Sequence, residues 1–108
     1  MEAKLTTAKK YFEYRMKGKN EEILHLVTDD IFLESERDGK YRGKEEFKRY
    51  LNEIKPTGAW GEPVAKEETV VIPGTVRYLM MNWNVLGTCT FDENNLINEI
   101  KLARGSLE

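Results

Sequence analysis

Three kinds of side chain in this sequence could carry acid-base or nucleophilic chemistry. His25 is the only histidine, and an imidazole exchanges protons near neutral pH. Glu34 and Glu36 alternate with Leu33 and Ser35, so on a strand they share one face with Phe32 and could form a carboxylate pair with one raised pKa. Cys89 is the only cysteine and the only thiol nucleophile.

The pattern around each candidate favours a structural role. On a helical wheel His25 lies about 150° from the centre of the apolar face formed by Ile23, Leu26 and Val27, which indicates an exposed histidine. Glu34 and Glu36 lie opposite Leu33 and are interpreted as solvated surface. Cys89 has the same parity as Val85, Gly87 and Phe91 in an apolar row, so it is interpreted as an inert core residue. No catalytic residue is therefore predicted.

Cofactor and metal motifs do not occur in the sequence. Asp29-Asp30 and the segment 92–95 carry oxygen ligands, but neither has the spaced loop with a closing glutamate that a calcium site requires, so both are interpreted as turns. The glycines form neither GxGxxG nor a phosphate-binding GxxxxGKS motif. A single cysteine also excludes a zinc site built from several thiolates. The sequence predicts no cofactor and no metal.

Length and charge restrict the class of protein. The chain has 108 residues, which suits one domain, predicted over residues 1–104 with 105–108 as an expression tail. A net charge of −2 gives no basic surface for nucleic acid, and no apolar run is long enough for a membrane span. The N-terminal segment lacks the apolar centre of a secretory signal. With one free cysteine, this predicts a cytoplasmic protein.

The hydrophobic period changes from helical to strand-like near residue 60. Leu5, Ala8, Phe12 and Met16 form one apolar stripe, a second helix is predicted from Asn20 through Val27, and a third shows Phe47, Tyr50, Leu51 and Ile54 before Pro56. Residues 31–36 are predicted as a strand with Leu33 and Ser35 on one face. The later residues alternate, with breaks predicted at 73–74, 82–84 and 92–95. This pattern predicts an α+β domain with three N-terminal helices packed on a curled antiparallel sheet.

The strand around residue 80 is apolar on both faces. If these residues form one continuous strand, Val76, Tyr78 and Met80 share one face, and Leu79, Met81 and Trp83 share the other. Only one set can pack on the helices. The other, Leu79, Met81 and Trp83, is therefore predicted to form the interface of a homodimer.

The order of elements resembles the NTF2-like superfamily, which includes SnoaL-like proteins and ketosteroid isomerases. The resemblance rests on the order of six segments. They are the first helix, the link Lys17-Gly18-Lys19-Asn20, the second helix, the segment 28–33, the segment 41–47 and the final hairpin through 90–100. It implies a cystatin-like, NTF2-like cone whose sheet wraps around the third helix and leaves a pocket at its open end. It also implies a phenol donor at Tyr11.

The same resemblance places the two isomerase carboxyl groups at Ser35 and Gly87. Serine without an activating base does not remove an α-proton, and glycine has no donor, so isomerase chemistry is not expected. The main hypothesis is a protein that binds a small apolar ligand without catalysis. The predicted pocket lining is Tyr11, Leu33, Ser35, Tyr50, Trp60, Tyr78, Gly87 and Cys89.

Two alternatives stay open. One is a small SnoaL-like enzyme, an isomerase, cyclase or hydrolase, whose acid is unidentified; Glu34 would serve if the strand register were shifted by one residue. The other is a dimeric protein-interaction module that uses the sheet face and binds no ligand.

Overall fold

Three helices lie in the first half of the chain in the computed structural model, which describes residues 1–107. They are α1 (Glu2–Lys17), α2 (Asn20–Ile23) and α3 (Gly43–Glu53), and no further helix occurs among the described residues after α3. Gly18 ends α1 in the left-handed conformation, at φ 73°, where glycine carries no Cβ penalty. The α+β class and the N-terminal position of the helices are confirmed.

The second helix is shorter than predicted. It ends at Ile23, and the chain turns through residues 24–26 into the first strand. Val27, expected on the helix, instead begins this strand and pairs with Ile97. Val27 and Thr28 are β-branched, which favours the extended conformation over the helix.

The buried face of α1 is also rotated from the predicted stripe. Ala8, Tyr11, Phe12 and Arg15 are buried, whereas Met16 is exposed. Arg15 is accepted in this face because its guanidinium donates to the backbone carbonyls of Leu51 and Ile54 at the end of α3. Tyr11 therefore lies at the centre of the buried face.

The chain forms seven strands: β1 (Val27–Ser35), β2 (Gly39–Arg42), β3 (Ala59–Trp60), β4 (Val64–Lys66), β5 (Thr69–Tyr78), β6 (Met81–Phe91) and β7 (Ile97–Arg104). They form one mixed sheet in the order β2-β1-β7-β6-β5-β3, and β4 pairs with the remaining part of β5. All pairs are antiparallel except β1 and β7, which are parallel because a long connection that includes α3 separates them. The predicted antiparallel sheet thus contains one parallel pair.

Two of the three predicted breaks are wrong, because they lie inside the strands of the β5–β6 hairpin. Pro73-Gly74 lies inside β5 and the segment 82–84 lies inside β6, while the turn is Leu79-Met80. Val76 pairs with Trp83, and directly opposed residues of an antiparallel pair share a face. The predicted division of this segment into two apolar sets is therefore wrong, because Trp83 lies on the inner face with Val76.

The core lies between the helices and the inner face of the sheet. At the end of the sheet near β1 and β7, Ile31, Leu33 and Ile100 are fully buried against Phe47 of α3. Ile97 is buried as well, although strict alternation places it on the face opposite Ile100; a register shift between Thr90 and Phe91 of the β6–β7 pair explains this. Among residues 1–107, no helix has the length and apolar character needed to cross a bilayer.

Candidate ligand-binding cavity

A cavity of about 510 Å³ lies between α1, the end of α3 and the inner face of the β5–β6 hairpin. This volume is in the range of small-molecule sites. The apolar wall consists of aromatic and branched side chains. They are Phe12, Trp60, Val76, Trp83, Val85 and Leu102.

Two glycines make room for the aromatic wall. A Cβ on Gly74 of β5 would lie 2.5 Å from the Trp60 ring, and a Cβ on Gly87 of β6 would lie 2.6 Å from Cζ of Phe12. Neither distance is compatible with a side chain at these positions. The Phe12 and Trp60 ring centroids are consequently only 4.4 Å apart, within the range of favourable aromatic contacts.

The eight residues predicted for the pocket divide into two groups. Tyr11, Ser35, Tyr50, Trp60 and Tyr78 line the cavity. Leu33 and Cys89 are fully buried in the core behind it, and Gly87 supports the Phe12 ring. The inward direction of Ser35 agrees with the predicted strand parity, so no register shift brings Glu34 into the cavity.

The buried charged residue of the cavity lining is Arg15, which is only 5% exposed. It donates to the carbonyl oxygen of Leu51 at 3.5 Å and to that of Ile54, and its Cζ lies 4.9 Å from the centroid of the Tyr50 ring. Among residues 1–107, no carboxylate lies within 4.0 Å of it. A buried cation is therefore held by neutral groups alone.

Two phenols accompany this cation. Burial raises the pKa of Tyr11 well above 10.0, and the nearby Arg15 charge opposes the rise without cancelling it. Burial likewise raises the pKa of Tyr50, again against the Arg15 charge. Both phenols are thus protonated at neutral pH, and each can donate a hydrogen bond to an acceptor in the cavity.

A second polar cluster lies nearer the mouth of the cavity. The Ser35 hydroxyl donates to Oδ2 of Asp38 at 3.1 Å, and Arg37 Nε donates to Oδ1 of the same carboxylate at 2.9 Å. This hydrogen bond raises the pKa of Arg37, whose Cζ lies 6.0 Å from the Tyr78 ring centroid. Asp38 is therefore a fixed carboxylate at the cavity edge, while the other lining carboxylate, Glu36, is bound by Arg104.

Arg15, Asp38 and Trp83 are functional candidates that the sequence reasoning missed. Arg15 follows Tyr11 by four residues and Phe12 by three, so helix geometry alone places it on the same face. No site prediction from the sequence names Asp38. Trp83 was predicted on the outer face because the break between the strands was predicted at 82–84, whereas the turn is Leu79-Met80.

The remaining sequence candidates lie away from the cavity. His25 is exposed, and Glu34 pairs in register with Lys40 and Lys101 outside the lining. Cys89 is fully buried, and burial raises the pKa of its thiol to about 12. Within residues 1–107, no three His, Cys, Asp or Glu side chains are grouped so as to hold a metal ion.

The residues predicted for the dimer interface are separated by the hairpin. Leu79 lies in the turn and Met81 begins β6, and both are exposed. Trp83 is half-buried in the cavity, where its Nε1 donates to the Tyr78 carbonyl at 3.2 Å. A homodimer stays a prediction, and Trp83 is not available for its interface.

The fold has many similar solved structures. An NTF2-like protein of unknown function from Burkholderia pseudomallei has a TM-score of 0.79 and 14% identity over 97% of this chain and 92% of its own. A cystatin fold protein from Novosphingobium aromaticivorans has a TM-score of 0.78 and 16% identity, covering 94% and 97%. The epoxide hydrolase/cyclase-like enzyme SalBIII of pyran ring formation in the polyether salinomycin has a TM-score of 0.74 and 15% identity, covering 94% and 90%.

Sequence comparison adds no relative to these structures. No family model and no curated protein matches the chain. At identities of 14% to 16% the likeness concerns the fold, and function must be argued from the cavity. The chain has the cystatin-like fold that is seen in NTF2-like proteins.

Proposed function

We propose that this protein binds a small, largely apolar ligand in the cavity between its helices and its sheet. The observation that carries this proposal is the aromatic wall, in which Phe12, Trp60 and Trp83 face a space of about 510 Å³. Concave apolar sites with a few converging polar groups are the usual form of a small-molecule site. Both tryptophans of the chain line this space.

A neutral, polarity-sensitive naphthalene dye, Prodan, tests the proposal. We expect saturable binding with a blue-shifted emission, because the aromatic wall excludes water from the bound dye. Val76→Trp fills the cavity and should weaken binding about tenfold or more, since one displaced ring forfeits well over 1 kcal/mol of contact. Val64→Trp is the matched control, because Val64 is exposed and lies outside the lining.

Two outcomes would contradict the proposal. One is the absence of saturable dye binding by the folded protein, and the other is equal loss of binding in both tryptophan variants. Native mass spectrometry of the freshly purified protein adds an independent readout, because a ligand retained from the cell appears as a fixed mass increment.

We further propose that the protein does not catalyse ketosteroid isomerisation. The resemblance to the isomerases places their general base and acid donor at Ser35 and Gly87, whose side chains cannot serve these roles, and a positioned general base contributes about 10²- to 10⁴-fold in rate. We expect no turnover of a β,γ-unsaturated ketosteroid above the buffer rate, followed by the absorbance of the conjugated product. Turnover well above buffer that falls in Tyr11→Phe would contradict this expectation.

A second candidate function is acid-base catalysis on the bound ligand. The observation that favours it is Asp38, whose carboxylate borders the cavity and is fixed by Ser35 and Arg37. A catalytic role predicts that Asp38→Asn retains ligand binding and loses turnover of any substrate found. Simple binding predicts no turnover in either form.

A further inference from the structure

We propose that the ligand of this cavity is an amphipathic monocarboxylate, whose carboxylate binds Arg15 between the Tyr11 and Tyr50 hydroxyls and whose apolar tail lies on the aromatic wall. This inference rests on the proposed function and specifies the chemical class of the ligand. It follows from the charge, hydrogen bonding and position of Arg15.

The first argument is charge. Arg15 is 5% exposed and, among residues 1–107, has no carboxylate partner, whereas the other lining arginines, Arg37 and Arg104, are paired with Asp38 and Glu36. A buried cation without a counterion is costly, and a bound anion removes that cost. The site thus favours an anionic group beside Arg15.

The second argument is donor geometry. A guanidinium has five N–H donors; two of those on Arg15 go to the carbonyl oxygens of Leu51 and Ile54, and the guanidinium also lies within hydrogen-bonding reach of the Tyr11 and Tyr50 hydroxyls. The Tyr11 and Tyr50 phenols beside it keep their protons at neutral pH. The guanidinium can only donate, and each phenol has an O–H to donate, so this end of the cavity offers hydrogen-bond donors to the acceptor oxygens of a carboxylate.

The third argument is the distribution of polar and apolar groups along the cavity. Arg15 and Tyr11 are buried at the helix side, while Phe12, Trp60 and Val76 continue the lining as an apolar surface. A ligand that satisfies both parts carries one charged end and an apolar body. A fully apolar ligand would leave the Arg15 charge uncompensated, and a dicarboxylate would place its second charge on the aromatic wall.

Displacement of Prodan by octanoate and by octanamide tests this inference. The two probes share the same apolar tail and differ only in their headgroup, a carboxylate in one and a neutral amide in the other. We expect octanoate to displace the dye at a concentration roughly tenfold or more below that of octanamide, as expected for charge-assisted hydrogen bonds. Arg15→Met should remove the preference for octanoate. Arg49→Met is the matched control, because Arg49 is exposed on α3 and lies outside the cavity lining.

Arg15 also holds the carbonyl groups at the end of α3, so two further variants keep the test decisive if its removal unfolds that end. Arg15→Lys retains the charge and should keep part of the preference. Tyr50→Phe removes only a hydroxyl and should reduce octanoate displacement several-fold, with octanamide less affected. Far-UV circular dichroism of each variant reports whether the helices are intact.

The outcomes separate this inference from the proposed function. Equal displacement by the two probes, stronger displacement by octanamide, or no displacement by either overturns the carboxylate assignment while Prodan binding still supports the cavity. A preference that persists in folded Arg15→Met also overturns it. Failure of Prodan itself to bind overturns the proposed function.

Discussion

Cys89 shows how burial alone sets the chemistry of one residue. Its side chain is fully buried on the inner face of β6, opposite Val70 of β5 and Ile100 of β7. This apolar surrounding disfavours the thiolate and raises the pKa of the thiol to about 12. The residue is therefore an inert core group, as the apolar row of the sequence predicted.

The raised pKa of Cys89 predicts a loss of stability in alkaline solution. Below pH 9 the thiol is neutral in both states, whereas between pH 9 and 12 only the unfolded state loses its proton, so the free energy of unfolding falls. At about pH 10.5 the expected loss from this residue is roughly 2 kcal/mol. Urea unfolding at about pH 7 and pH 10.5 measures it.

Cys89→Ala is the variant that isolates this effect. Its stability at neutral pH should be lower because a small void is created, but its further loss on going to alkaline pH should be smaller by the thiol contribution. Equal pH dependence of the two proteins would assign the alkaline loss to other groups, such as Tyr11 and Tyr50, whose pKa values are also raised by burial.

Single residues of the cavity differ in how far the sequence could predict them. Tyr11 and Ser35 were predicted for the pocket from the resemblance to the NTF2-like superfamily, and Tyr50 lies on the apolar face of the predicted third helix. Arg15 was missed because a charged residue is ordinarily assigned to solvent, and only the carbonyl acceptors at the end of α3 make its burial acceptable. Those acceptors come from a distant segment, which local pattern does not specify.

The β5–β6 turn is an element with unfavourable local chemistry. Leu79 and Met80 have φ values of 52° and 64°, so both residues of a two-residue hairpin turn are in the left-handed region. Such turns prefer Asn-Gly, and a bulky residue there costs about 1–2 kcal/mol. The pairing from Val70 with Cys89 to Tyr78 with Met81 holds the turn in place.

Met80→Gly should therefore stabilise the protein. Glycine removes the backbone penalty at φ 64° but loses more chain entropy on folding, so the net gain is about 0.5–1 kcal/mol, visible as a melting temperature several degrees higher. Met81→Gly, one residue later inside β6, is the matched control and should be destabilising. Equal effects of the two substitutions would contradict this account of the turn.

The elements themselves were predictable where one period continues over many residues. The third helix shows Phe47, Tyr50 and Leu51 at helical spacing and was predicted correctly apart from its last residues. The hairpin was not, because Pro73-Gly74 has the sequence of a turn and Leu79-Met80 does not. Glycine is needed at position 74 because the Trp60 ring occupies the space that a Cβ would take. This is a tertiary contact, so the local sequence around Pro73-Gly74 does not reveal it.

At the scale of the whole molecule, the hairpin extends beyond the helices. Along the inner face of β5, Val70 and Ile72 are fully buried, Val76 is half-buried and Tyr78 is exposed. The sheet near β1 and β7 is filled by core side chains, whereas its β5–β6 end has only α1 and the segment after α3 opposite it. The cavity lies where the helical layer ends before the sheet does.

This extension leaves an apolar hairpin tip in solvent and supports the prediction of a homodimer. Leu79, Met80 and Met81 are 76%, 86% and 57% exposed, and burial of each large apolar side chain is worth about 1.5–3 kcal/mol. Sedimentation at micromolar concentrations should show a dimer of the 12.6 kDa chain. Met81→Lys should dissociate it with an intact helical signal, whereas Asn82→Lys, the adjacent exposed residue on the opposite face, should not. A chain that stays monomeric up to about 100 μM would contradict the dimer, and a dimer unchanged by Met81→Lys would place its interface elsewhere on the sheet.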